Sequence, residues 1–124
     1  MAELNRLEIE SYLKVVIGPS VRLMGMKVLG KSEKEEIKGY GYGRPLEIDY
    51  DFNGQSRRAV LHTVSPGPFG HEHMSDRAQM ALWDHDAFNR LPRHVRSLDV
   101  GAFRCDGRTI SLGDSEEFFL LTEY

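Results

Sequence analysis

The chain has one cysteine, Cys105, so an internal disulfide framework is excluded, as suits a reducing compartment. It has no apolar run approaching the roughly 20 residues that span a bilayer. Glu3, Arg6, Glu8 and Glu10 leave no room near the N-terminus for the apolar core of a signal peptide. These absences predict a cytoplasmic protein without a membrane partner.

The sequence also lacks a cluster of basic residues. The 124 residues hold 16 Lys and Arg against 19 Asp and Glu, which gives a net charge of -3 with both signs interspersed. Proteins that bind nucleic acid usually cluster their cations on one face, so no nucleic-acid partner is expected. The length is about that of one domain, and we expect a single domain over residues 1–124.

The N-terminal third of the chain combines a helical pattern with a strand pattern. Apolar residues recur at three- and four-residue steps from Leu4 to Val16, and Gly18-Pro19 follows, which predicts a helix and its end. Residues 21–29 are rich in β-formers and predict a strand. A charged connection then leads to alternate glycines, which allow close backbone approach: Gly39, Gly41 and Gly43.

The next segment predicts a β-hairpin. Residues 46–52 alternate between apolar and acidic side chains and end at Asn53-Gly54, a dipeptide that tolerates the positive φ angles of a type I′ turn. A two-residue turn also fixes the register, which places Asp49 opposite Arg58 and Ile48 opposite Ala59. Ala59 and Leu61 then face the core, while Val60 and His62 point to the other side of the sheet.

The C-terminal half predicts one helix and further strands. Ser75 is the expected cap of a helix ending near Arg90, with Trp83 on its core-facing side. Strands are expected at 98–103 and 109–112, on either side of Asp106-Gly107, and at 118–121. The order predicts an α+β fold with a mainly antiparallel sheet of five to six strands, an N-terminal helix and one further helix packed on the sheet.

The sequence predicts neither a metal site nor a nucleophilic cysteine. Zinc-ligand residues are scattered along the chain without a paired C-x-x-C or H-E-x-x-H spacing, so no metal site is predicted; they are His62, His71, Glu72, His73, His94 and Cys105. Cys105 stands next to a turn and has neither a base nor an orienting group indicated beside it, so it is not predicted to be a nucleophile.

The order of elements resembles the small, ATP-binding lobe of the aminoglycoside phosphotransferase and choline kinase branch of the protein-kinase-like fold. The resemblance covers nearly the whole chain. It rests on the alternating hairpin and on the segment 58–62, Arg-Ala-Val-Leu-His, which stands where the family has an apolar strand ending in lysine. Residues 119–124 are similar to the strand that leads into the adenine-contacting hinge. The resemblance implies that ATP is the cofactor.

The resemblance also implies a set of nucleotide contacts. The glycine-rich segment would cradle phosphate oxygens, Val60 would pack on adenine, and His62 would approach a phosphate. A carboxylate on the following helix would face that position; Asp76 is favoured, with Glu72 and Gln79 as alternatives. The full set is Gly39, Gly41, Gly43, Val60, His62, Asp76 and Glu123.

At His62 the chain departs from the family, because histidine is shorter than lysine and largely neutral near pH 7. The family's H-x-D-x-x-x-x-N loop and later Asp, which orient the acceptor and hold Mg²⁺, would lie beyond the hinge. Residues 84–89 look similar but have the wrong spacing. The resemblance therefore implies a nucleotide-binding lobe that is inactive alone, with the missing C-terminal lobe as its partner and the main source of Mg²⁺ ligands. The alternative is a standalone, non-catalytic binding or regulatory module.

Overall fold

A computed structural model describes residues 5–29, 45–63 and 73–124. Over these residues the fold is α+β, and its strands form two antiparallel sheets, one of three strands in the order β1-β2-β3 and one made of β4 and β5. The elements are α1 (Arg6–Val16), β1 (Arg22–Val28), β2 (Leu46–Phe52), β3 (Gln55–Leu61), α2 (Met74–Arg90), β4 (Gly101–Phe103) and β5 (Thr109–Ser111).

Helix α1 begins where a side chain satisfies its first free amides. The Asn5 side chain accepts hydrogen bonds from the backbone amides of Leu7, at 2.8 Å, and Glu8, at 3.4 Å, as an N-cap does. Ile9 and Leu13, four residues apart on one face, are buried. Burial of each such side chain contributes about 1.5–3 kcal/mol, so the apolar spacing that predicted the helix also supplies its attachment to the sheet.

The predicted hairpin is confirmed in its turn and its register. Asn53 has a φ of 51° and Gly54 a φ of 79°, both in the left-handed region that a type I′ turn requires. Asp49 pairs with Arg58 and Ile48 with Ala59 across β2 and β3. The dipeptide therefore decides which side chains of β3 face the core.

The core lies between α1 and one face of the three-stranded sheet. A bulge between Leu23 and Gly25 shifts the register of β1, so that both Leu23 and Met26 reach the buried face despite their odd spacing. The buried cluster consists of Ile9, Leu13, Val21, Leu23, Met26, Leu46, Ile48 and Tyr50.

Helix α2 differs from its prediction in two ways. Its N-cap is His73 rather than Ser75, and the Asp76 carboxylate accepts a hydrogen bond from the His73 amide at 3.2 Å. None of its described residues is buried, and Trp83 is 71% exposed. The predictions that Trp83 belongs to the core and that this helix packs on the sheet are therefore wrong, because periodicity defines an apolar face without defining what covers it.

The C-terminal strands also differ from their prediction. Strands β4 and β5 form a sheet of their own, joined by a turn in which Gly107 has a φ of 87°. Residues 118–121 form no strand in the structure and are exposed. Within the described ranges, neither helix is long and apolar enough to cross a membrane.

Candidate functional site: the open face of the three-stranded sheet

The open face is the side of β1-β2-β3 that does not pack against α1, and it carries Val60 and His62. Strand alternation places Ala59 and Leu61 against the core and leaves Val60 and His62 exposed on the opposite side. The predicted orientation of Val60, opposite Glu47, is confirmed, and His62, the residue after β3, is exposed as predicted for that side. Val60 presents an apolar surface, and the His62 imidazole offers a hydrogen-bond donor or acceptor.

His62 lies at one particular end of the sheet. Leu46 pairs with Leu61, and the Leu29 amide donates a hydrogen bond of 2.9 Å to the Pro45 carbonyl. Segment 30–44 therefore leaves and rejoins the sheet at the end where His62 stands. Gly39, Gly41 and Gly43 belong to that segment and lie outside the described residues.

Cross-strand ion pairs cover the middle of the open face. Glu47 lies between two cations, 3.7 Å from Lys27 Nζ and 3.4 Å from Arg58 Nε, and its side chain is only 12% exposed. Arg58 Nε is also 3.3 Å from Asp49 Oδ1. Asp49 Oδ1 is buried and makes no hydrogen bond, so its contact with Arg58 is an ion pair alone. Arg22 and Asp51 are opposed in register across β1 and β2.

Two further predicted contacts, Asp76 and Glu123, belong to the described residues and have no recorded interaction with His62. Asp76 caps α2 through the His73 amide, and no ion pair joins it to His62 in the described ranges. Glu123 is exposed in the C-terminal segment and has no recorded contact with the open face. Among the four members of the predicted set that the structure describes, only Val60 and His62 lie together.

A shallow hollow of about 370 Å³ lies at the turn end of the sheet, away from His62, and is lined in part by Asp49, Asp51 and Arg58. It is open to solvent and bordered by charges that already have partners. Within the residues that the structure describes, no three metal-ligating side chains come together. The hollow therefore does not enlarge the site around Val60 and His62.

A polar cluster around Asp99, with no local signal in the sequence, joins α1 to the second sheet. The Asp99 carboxylate accepts hydrogen bonds from the Tyr12 hydroxyl, from Ser111 Oγ at 3.0 Å and from the Gly113 amide at 2.9 Å. Burial, together with the neighbouring Asp99 carboxylate, raises the pKa of Tyr12. Since every contact is internal, the cluster ties α1 to the second sheet and leaves no group free for a ligand.

Two carboxylates of α1 hold neighbouring strands in a similar way. Glu8 accepts hydrogen bonds from the Thr109 amide at 2.7 Å and the Thr109 hydroxyl at 2.8 Å, and the first of these contributes most to lowering the pKa of Glu8. Glu10 accepts from the Leu23 amide at 2.9 Å, which lowers its pKa. No local pattern in the sequence signals partners so distant along the chain.

The C-terminal half of α2 is attached to the segment before β4. His85 Nδ1 lies 2.7 Å from Ser97 Oγ, which itself donates to the Asp99 carbonyl at 3.2 Å. The Asn89 side chain bonds both the amide and the carbonyl of Ser97, at 2.9 and 3.1 Å. Because the Ser97 hydroxyl proton is directed at a carbonyl, this hydroxyl and imidazole form a structural tether rather than an activated nucleophile.

Comparison with known proteins gave no relative: no family model, no curated protein and no solved structure matches the chain.

Proposed function

We propose that this chain is the nucleotide-binding lobe of an ATP-dependent small-molecule phosphotransferase of the aminoglycoside phosphotransferase type, and that it cannot catalyse phosphoryl transfer alone. In this proposal the full lobe has the protein-kinase-like arrangement, with five to six strands in a mainly antiparallel sheet. Val60 packs on adenine, and His62 contacts a phosphate oxygen. The acceptor site and most Mg²⁺ ligands belong to a second, C-terminal lobe.

The observation that carries the proposal is the position of His62. It stands next to Val60, at the end of the sheet where Leu29 and Pro45, the residues on either side of the glycine-rich segment, are hydrogen-bonded. A glycine-rich turn and a donor side chain at one end of a sheet are the parts that phosphate binding needs.

The carboxylates of the open face lie beside cations, so they do not exclude a bound polyanion. Each carboxylate of β2 faces a cation on a neighbouring strand, in the pairs Lys27–Glu47, Asp49–Arg58 and Arg22–Asp51. At the His62 end the last pair on this face is Glu47 opposite Val60, because Leu46 and Leu61 face the core. A triphosphate at this end would therefore meet one carboxylate, which Lys27 and Arg58 already hold, and the His62 imidazole could donate one hydrogen bond to it.

The need for a second lobe is supported by exposed apolar surface. Phe118, Phe119, Leu120 and Leu121 form a continuous exposed run, and Phe119 is 92% exposed. Helix α2 adds Trp83 and a shallow groove beside it. Apolar surface of this extent on a soluble chain marks a contact with another structural unit.

A second candidate function is a standalone binding or regulatory module. The observation in its favour is the replacement of the expected lysine by His62, together with a capping role for Asp76 that leaves the imidazole without a charged partner within the described ranges. Such a module would bind a ligand whose recognition, unlike that of a triphosphate, does not require a lysine at this position.

Titration of the isotope-labelled chain with Mg²⁺ and ATP, followed through its amide resonances, tests the proposal. Millimolar nucleotide is expected to shift the amides of Val60 and His62 and to leave those of Ala102 and Ile110, in the second sheet, in place. Shifts of equal size in both sheets, or none at Val60 and His62, would contradict nucleotide binding at this face. Binding of a non-nucleotide ligand at the same amides would favour the standalone module.

A further inference from the structure

Lys27 lies on the open face, in the same row as Val60. Lys27 of β1 pairs in register with Glu47 of β2, and Glu47 pairs with Val60 of β3, so the three side chains follow one another across the sheet. Val60 is 40% exposed, whereas Leu46 and Ile48, the neighbours of Glu47 in the chain, are buried in the core. Because side chains alternate along a strand, Lys27 projects from the open face, where its side chain is 31% exposed.

His62 belongs to the next row of the same face, because it follows Val60 by two residues. Successive rows of one face are about 7 Å apart, and β1 lies two strand spacings, about 10 Å, from β3. The alternation of the strands directs the Lys27 and His62 side chains to the same side of the sheet. A ligand with more than one phosphate group can therefore contact both residues.

The contact that holds Lys27 is weaker than the contacts of the neighbouring cation, Arg58. Lys27 Nζ lies 3.7 Å from Glu47 Oε2, which is beyond the usual length of a hydrogen bond. Arg58 Nε contacts two carboxylates, Glu47 at 3.4 Å and Asp49 at 3.3 Å. Lys27 can therefore turn to a bound anion while Glu47 keeps Arg58 as its partner, so the exchange leaves no mostly buried carboxylate without a cation.

We propose that Lys27 binds a phosphate group of the nucleotide and supplies the ammonium group that a lysine at position 62 would have provided. On binding, Lys27 exchanges its contact with Glu47 for a phosphate oxygen, and His62 donates a hydrogen bond to another phosphate group. An ammonium group brings three donors and a full positive charge, which makes its hydrogen bonds to phosphate strong. This inference rests on the proposed function and adds a binding residue to it.

Nucleotide titration of two variants tests the inference. Lys27→Met removes the charge and keeps an unbranched side chain. The matched control, Arg22→Met, removes the cation opposite Asp51 on the same two strands, at the other end of the sheet. The amide resonances of Val60 and His62 report the dissociation constant of each variant for Mg²⁺ and ATP.

Lys27→Met is expected to weaken ATP binding by about tenfold, the low end of what a hydrogen bond to a charged group contributes. Arg22→Met is expected to bind ATP as the unmodified chain does. Equal ATP affinity for Lys27→Met and the unmodified chain would overturn the role of Lys27 and leave the proposed function standing. If the unmodified chain does not bind ATP, both the role of Lys27 and the proposed function are wrong.

A second measurement separates phosphate binding from a structural role of Lys27. Reductive methylation with ¹³C-formaldehyde labels each lysine side chain and keeps its charge. Lys14 is the internal control, because its Nζ lies 3.6 Å from Glu10 in a comparable ion pair on α1, away from the open face. Mg²⁺ and ATP are expected to shift the Lys27 methyl signal and to leave the Lys14 signal in place. A Lys27 signal that stays in place while the Val60 and His62 amides shift would overturn the proposal.

Discussion

Replacement of Gly113 by alanine is expected to disrupt the Asp99 cluster from the backbone side. A Cβ atom at this position would lie 2.1 Å from Asp99 Oδ1, whereas ordinary van der Waals contact begins near 3.4 Å. The carboxylate oxygen must therefore move by about 1.3 Å, the difference between the two distances. That displacement breaks the bonds to Ser111 Oγ and to the residue 113 amide, both of which end on this oxygen.

The size of the effect follows from those two bonds. A hydrogen bond to a charged group contributes roughly 1.5–3 kcal/mol, and we take the low end because the cluster is only partly buried. The free energy of unfolding is then expected to fall by about 2–3 kcal/mol. With a urea dependence of roughly 1–3 kcal/mol/M for a chain of this size, the midpoint of urea unfolding should fall by about 1–2 M.

The matched control is Gly25→Ala, whose Cβ would meet nothing closer than Asp49 Oδ2 at 4.0 Å. Both changes remove the same backbone freedom from the unfolded chain, so their difference reports the native contact. Urea unfolding followed by circular dichroism measures both. Equal midpoints for Gly113→Ala and Gly25→Ala would refute the role assigned to Asp99.

Three further predictions concern the turn and the two kinds of α1 contact. Gly54→Val should lower stability by roughly 1–3 kcal/mol, because a β-branched residue resists the positive φ of the turn; an unchanged melting temperature would count against the turn's role. The pKa of Tyr12 is raised, so the stability that Tyr12 contributes is fully present below the ordinary tyrosine pKa of 10.0 and is lost as the pH rises further. Tyr12→Phe should therefore remove part of the alkaline decline seen in urea midpoints, and an identical decline would contradict this. The pKa of Glu8 is lowered, so the stability that Glu8 contributes is fully present above its ordinary pKa of 4.5 and is lost as the pH falls through the folded-state pKa. Glu8→Gln should therefore reduce the loss of stability in acid. An equal loss of stability in acid for the variant and the unmodified chain would contradict this.

Local chemistry explains which parts of the fold could be predicted from the sequence. Asn53-Gly54 determines its own turn type, and the turn determines the register, so the orientation of Val60 and His62 followed from a handful of adjacent residues. The first helix was predicted for a similar reason, since its apolar spacing and its end are both local signals.

Long-range contacts explain what could not be predicted. Tyr12 and Asp99 are separated by 87 residues, and Glu8 and Thr109 by 101, so no periodicity links them. Trp83 was wrongly predicted to be buried because an amphipathic pattern defines the apolar face of a helix but not the element that packs against it. Asp76 caps α2 through the His73 amide, a use of carboxylates near helix starts that depends only on neighbouring amides, and its role beside a phosphate stays a prediction.

The most direct test of the proposed function compares the affinity of two lysine variants for Mg²⁺ and ATP by calorimetry. His62→Lys restores the side chain that phosphate binding favours, and Ser56→Lys adds a lysine to the same face of β3, close to the turn. The proposal predicts that His62→Lys tightens nucleotide binding by about tenfold, since a charged hydrogen bond contributes roughly 1.5 kcal/mol, while Ser56→Lys leaves the affinity unchanged. Equal tightening in both variants, or no change in either, would contradict a nucleotide site at His62.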